Sequence, residues 1–280
     1  MGKIAVVTDS TATIPEDIRS KYNIYVAPLS VTWDRIKYRD GVDLKAADFY
    51  KRLRTATDLP TTSGVIQGEF MQIFESLEGK VDGVVAVVLS SALSAGYNSA
   101  LTAKDMVPGL KVEVVDSRLA TTALGFVAIE AAKAAAAGAS MEDIVKAANS
   151  TIPKVHCFLG LDTLEYLKRG GRATVAEAEQ ASFLQVKPIM IFKDGLIQGF
   201  DKPRTREKMM ERLVEIMQER VTSTPLHLAV MHGDFPEGAE TLKKMILDKC
   251  KPVELLTTEV TPVVGTHFGP DSLALAFYNE

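Results

Sequence analysis

The chain has 280 residues, 46% apolar and 24% charged, and its 32 basic against 36 acidic side chains leave a formal charge of −4. That mixture supports a large core under a soluble surface and excludes disordered and collagenous classes, which need a far stronger bias. A pI near 5.7 supplies no basic stripe for phosphate backbones, so no nucleic-acid partner is expected.

The chain starts with an apolar strand, without the basic start, long apolar stretch and small-residue cleavage site of a secretory signal. Gly2 follows Met1, but Val6 occupies the position where myristoylation needs Ser or Thr. The longest apolar blocks, such as Val84–Leu89, fall far short of the roughly 20 residues that span a bilayer, so a cytoplasmic location is expected. Cys157 and Cys250 have neither the spacing of a zinc site nor the number for a disulfide framework, and read as reduced core thiols; no metal is expected.

Strand-like Ile4–Val7, helical Pro15–Lys21 and strand-like Ile24–Val26 begin an α/β alternation that continues through the strands Val84–Leu89 and Val112–Val115. Val84–Leu89 is apolar on both faces, which predicts a strand covered by helices on either side. The Ala-rich stretch Leu119–Ala137 predicts a closely packed helix ending at Gly138, with Ser140 capping the next one. A Pro-containing break at Thr151–Lys154 marks a domain boundary. The predicted fold is therefore two α/β domains, residues 1–153 and 154–280, with segment 60–80 able to pack against the second.

The second half predicts a strand over His156–Leu159, another over Pro188–Phe192, and a hairpin turn at Lys193-Asp194-Gly195. Helices over Arg204–Arg220 and Gly238–Cys250, a strand over Leu226–Met231 and terminal strands follow. Met209, Leu213, Ile216 and Met217 share one face of the long helix, and core packing is their first reading.

The chain lacks the phosphate loop GxxxxGK[ST], a strand-following GxGxxG and HExxH, so nucleotide-binding and zinc-peptidase chemistry have no local support, and no cofactor is expected. It carries instead three hydroxyl-rich loops: Thr8-Asp9-Ser10-Thr11, Leu59-Pro60-Thr61-Thr62-Ser63 and Ser90-Ser91-Ala92-Leu93-Ser94-Ala95-Gly96. Loops after α/β strands are where ligands bind, and hydroxyls with free backbone N–H groups suit a carboxylate or phosphate. Helix capping is the commoner use of any one such loop.

These loops, together with Val115-Asp116-Ser117, Gly170-Gly171-Arg172, Lys187-Pro188-Ile189, Lys202-x-Arg204-Thr205-x-x-Lys208 and Gly265-x-His267-x-Gly269-Pro270, resemble the DegV family of FakB-like proteins. The resemblance runs in order along nearly the whole chain. It implies a two-domain α/β protein with a ligand tunnel between the domains, burying one long-chain fatty acid whose carboxylate is presented to a separate fatty-acid kinase for acyl-phosphate formation. Carried over by position, Thr62, Ser94 and His267 bind the carboxylate. Asp9, Ser10, Ser63 and Ser91 lie in the supporting loops, and Arg172, Lys202 and Arg204 form a basic rim or docking surface for the kinase. Transient contact with a membrane or an acyltransferase is compatible with such a carrier. Alanines at 92 and 95 stand where the family usually has glycine, so those positions keep a negative φ or the loop has moved.

Two other classes compete. A serine hydrolase would use Ser94 as nucleophile with His267 and Asp234, although Ser94 lies five residues beyond Leu89 rather than on the strand-to-helix turn itself. A phosphate-binding or sugar-kinase-like subunit would need a metal-binding acid cluster, and Asp9 and Asp116 are too isolated to provide one.

Overall fold

The structure is a computed structural model that describes residues 2–173 and 185–280. Its first sheet is parallel. β1 (Ile4–Asp9) lies between β2 (Tyr25–Ala27) and β6 (Gly83–Val88), and β7 (Val112–Asp116) completes the order β2-β1-β6-β7. Every residue of β6 is buried, as an all-apolar run covered on both faces requires.

The second sheet has the order β10-β9-β8-β13-β11-β12. It comprises β8 (His156–Gly160), β9 (Ile189–Lys193), β10 (Leu196–Asp201), β11 (Leu226–Gly233), β12 (Glu254–Glu259) and β13 (Ser272–Asn279). Its β11–β12 pair is parallel and the remaining pairs are antiparallel. The predicted hairpin turn joins β9 to β10, with Asp194 and Gly195 at φ of 53° and 81°, the positive values a two-residue turn favours. The α/β expectation holds.

A third sheet is absent from the sequence reading. β3 (Ser30–Trp33) pairs antiparallel with β4 (Ile36–Arg39) on one side and with β5 (Thr61–Ser63) on the other, Thr62 facing Val31 in register. Thr61, Thr62 and Ser63 are thus an edge strand, not a loop at a strand's carboxyl end.

The Ala-rich helix, Thr121–Ala136, packs against β1 and β6 of the first sheet and against β11 and β13 of the second. Its small side chains let both sheets approach, and most of its residues are buried. Phe126 meets Tyr278 edge-on at 5.1 Å, and the Thr122 hydroxyl lies 3.0 Å from that of Thr258. One continuous core therefore runs from the first sheet through this helix into the second. On the far face of the second sheet, Met209, Leu213, Ile216 and Met217 of the helix Arg206–Arg220 fill a separate core, as predicted. Ser140 caps its helix by accepting the Asp143 N–H at 3.2 Å.

Candidate functional site

A cavity lies where the sheets meet. Its apolar wall includes Leu29, Leu89, Phe192, Ile197, Val263 and Phe268, drawn from both sides of residue 153. One end is polar, lined by Thr62, Ser63, Ser94, Arg172 and His267.

Three separate elements deliver the central trio. Thr62 is fixed by the pairing of β5 with β3. Ser94 follows β6 on a turn in which its own N–H and that of Leu93 both donate to the Ser90 carbonyl, at 3.2 and 3.0 Å. His267 occupies the last turn of the helix Pro262–Phe268, which starts on a proline at its first position, where no N–H is needed. His267 is helical, and the turn begins after Phe268 with Gly269 at φ of 75°.

All three line the cavity, and two of them touch. Thr62 Oγ1 lies 2.8 Å from His267 Nε2, while Ser94 Oγ accepts the Gly96 N–H of its own turn at 3.3 Å. Burial, with the Arg172 guanidinium nearby, pushes the His267 imidazole down to about 4, so the ring is neutral at pH 7. Burial wins here over the helix C-terminus, which by itself favours a cation. Two glycines permit the close packing. A Cβ on Gly64 would lie 2.6 Å from Ser94 Oγ, and one on Gly170 would lie 2.0 Å from His267 Nδ1. Neither role was visible in the sequence, because each depends on a contact between distant segments.

The loop residues divide into lining and bracing. Ser63 and Thr11 line the cavity. Asp9 is buried and braces the ends of two strands, accepting from Thr11 N–H at 3.0 Å, from its hydroxyl at 2.6 Å and from Leu89 N–H at 2.6 Å. Burial nevertheless raises its carboxyl above the usual range. Ser10 donates to Asp40 at 2.6 Å and accepts the Leu29 N–H at 3.1 Å. Ser91 is exposed and donates to Asp116 at 2.5 Å. Ala95 has φ of −73°, and Ala92 is not among the residues with positive φ, so the two alanines introduce no backbone strain.

Of the basic trio, Arg172 reaches the site. It donates to the Leu93 carbonyl at 2.8 Å and to the Gly170 carbonyl, and partial burial lowers its guanidinium pKa. Lys202 and Arg204 are exposed on the connection after β10 and do not line the cavity.

The triad of a hydrolase does not assemble. Asp234 is held by Arg54, which donates to both its side chain and its carbonyl, and also pairs with Asp271 at 3.0 Å. His267 Nδ1, the nitrogen that an orienting carboxylate would engage, has no hydrogen-bond partner among the described residues. Among the described residues, no cluster of acidic, His or Cys side chains could hold a metal, and no helix is long and apolar enough to cross a membrane.

Fold and cavity together define an α/β protein in which sheets from the two halves of the chain enclose an apolar slot with a hydroxyl- and imidazole-lined end. The family model described as "Uncharacterised protein, DegV family" matches residues 3–280, and the chain belongs to the DegV family. A DegV domain-containing protein of Listeria innocua is 38% identical over 277 residues, covering 98% of each chain. The crystal structure of DegV from Bacillus subtilis, described as a fatty acid binding protein, superposes with a TM-score of 0.92 at 35% identity and full coverage of both chains. A stearic acid-binding protein from Eubacterium ventriosum gives a TM-score of 0.90 at 25% identity, over 100% of this chain and 98% of that one.

Proposed function

We propose that this protein is a carrier that buries one long-chain fatty acid between residues 1–153 and 154–280 and presents the carboxylate to a fatty-acid kinase. The observation that carries this reading is the Thr62–His267 contact beside Ser94 at the polar end of an otherwise apolar cavity. A carboxylate leaving water needs several donors, and two hydroxyls meet that need with a neutral imidazole behind them and the Arg172 guanidinium nearby. Each methylene entering the apolar part contributes about 0.8 kcal/mol, so a long chain stays bound through purification. The fatty-acid binding described for the Bacillus subtilis and Eubacterium ventriosum proteins supports the same ligand class.

Because the sequence has no phosphate-cradling loop, phosphorylation belongs to a separate kinase, with Arg172 steadying the new phosphate and Lys202 and Arg204 in the surface on which the kinase docks. The test has two stages. Organic extract of the purified protein should contain about one fatty acid per chain; lipid-free protein that also fails to take up oleate or palmitate would overturn the carrier reading. Loaded protein should form hydroxylamine-trappable acyl phosphate with ATP only when a fatty-acid kinase is added, and formation by the chain alone would make it the kinase itself.

A further inference from the structure

The helix Pro262–Phe268 brings Val263, Val264, His267 and Phe268 to the cavity wall. Seven residues that include two valines and a glycine have little helical stability of their own, and the first N–H groups of any helix need acceptors from outside it. Thr261 stands at the N-cap position with the extended backbone of a cap, φ −66° and ψ 162°, yet its side chain makes no capping bond. The acceptor comes from the other half of the chain. Val263 N–H donates to Asp40 Oδ1 at 3.1 Å, across 223 positions of sequence.

Asp40 follows β4, is 2% exposed and lies outside the cavity lining. Its Oδ2 receives the Ser10 hydroxyl at 2.6 Å; Ser10 Oγ in turn accepts the Leu29 N–H at 3.1 Å, and the Asp40 N–H returns to the Leu29 carbonyl at 2.8 Å. That closed circuit seats the carboxylate between the turn after β1 and the residue before β3. It uses one carboxylate oxygen and leaves the other for the helix. Burial pushes the carboxyl up to about 6, so at pH 7 it is chiefly ionised and accepts at both oxygens. An anion beside the first turn also opposes the positive end of the helix dipole.

We infer that Asp40 caps the helix Pro262–Phe268 from the opposite half of the chain and is thereby a positioning residue for the cavity, fixing where the helix starts and so where Val263, His267 and Phe268 meet a ligand. The inference rests on the fatty-acid reading for its ligand but not for the cap.

The experiment uses delipidated, ¹⁵N-labelled full-length protein. Asp40→Ala should speed hydrogen exchange at the Val263 amide about fivefold, the factor that loss of a typical cap produces, shift the His267 ring signals and weaken palmitate binding by a similar factor. Asp40→Asn keeps a side-chain carbonyl for Val263 N–H and should stay within about twofold of wild type in both measurements, since Asn and Asp cap equally well. The deciding variant is Asp40→Ala with Thr261→Asp. It places a carboxylate at the helix's own N-cap position, so Val263 protection, His267 signals and palmitate affinity should return while the Ser10–Leu29 circuit stays broken. A double variant as impaired as Asp40→Ala would show that Asp40 serves that circuit alone and would overturn the inference, as would unchanged Val263 exchange in Asp40→Ala. If Asp40→Ala fails to fold, recovery of a folded, palmitate-binding protein in the double variant supports the cap, and its failure to fold overturns it. If palmitate binds neither wild type nor any variant, the fatty-acid reading fails, and Val263 exchange still decides the cap.

Discussion

A Cβ on Gly64 would lie 2.6 Å from the hydroxyl oxygen of Ser94 and 3.2 Å from the Gly96 amide nitrogen. The end of β5 and the turn after β6 thus touch with no side chain between them. Gly64 is not in the left-handed region, so an alanine there meets a steric contact and no backbone strain.

Gly64→Ala is therefore expected to shift the Ser94 hydroxyl while leaving the fold intact. Loss of one charge-assisted bond to a carboxylate should weaken fatty-acid binding roughly tenfold, about 1.4 kcal/mol. Displacement of a fluorescent fatty acid measures it, and unchanged affinity in the variant would detach Ser94 from the head group.

The contrast between Ser94 and Thr62 shows what sequence could reveal. Ser94 follows β6, whose six-residue apolar run is unmistakable, so its place beyond a parallel strand was readable. β5 has three residues, all hydroxylic, and is a strand only through its register with β3, a partner about 30 positions away. The helix carrying His267 was equally hidden. It has seven residues, two of them valine and one glycine, and its burial rather than its propensity makes it helical. The trio itself was named from the ordered motifs, while the glycines that press on it required coordinates.

Two buried groups act in opposite directions on acid stability. The folded His267 titrates near 4 against an ordinary 6.5, so the unfolded chain takes up the proton first as pH falls. Its contribution is complete above pH 6.5 and is lost as pH falls through 4, by up to about 3 kcal/mol. Asp40, whose carboxyl burial pushes up from 3.8 to about 6, is protonated first in the folded state. Its contribution is complete below 3.8 and is lost as pH rises through 6, again by up to about 3 kcal/mol. In delipidated wild type the two offset each other between pH 4 and 6. Asp40→Asn should unmask the loss due to His267, seen as urea midpoints that drop more steeply below pH 6.5 than in wild type. Parallel profiles for the two proteins would contradict the assignment.

Cys157 is 1% exposed, and burial pushes its thiol up to about 12; Cys250 is half-buried and raised less. Reaction with a thiolate-specific disulfide reagent at pH 8 should leave Cys157 untouched in the native protein, with Cys250 labelling slowly. Both should react at once in urea. Rapid native labelling of Cys157, located by peptide mapping, would mean that the region between the central helix and β8 opens readily.

Ser94 separates the two chemistries that the sequence left in competition. As a donor to a carboxylate it should, on Ser94→Ala, weaken head-group fixation by roughly 1 to 3 kcal/mol while the apolar slot retains residual lipid. As a nucleophile it would need a base, and among the described residues no hydrogen bond joins it to His267, whose Nε2 is engaged by Thr62 and whose Nδ1 has no carboxylate behind it. The wild type is thus expected to resist fluorophosphonate labelling and to leave ester substrates uncleaved, because an unactivated serine hydroxyl attacks neither at a useful rate. A stoichiometric adduct on Ser94 that disappears in His267→Asn would reverse that conclusion, since it would require the imidazole to leave Thr62 and take the serine proton.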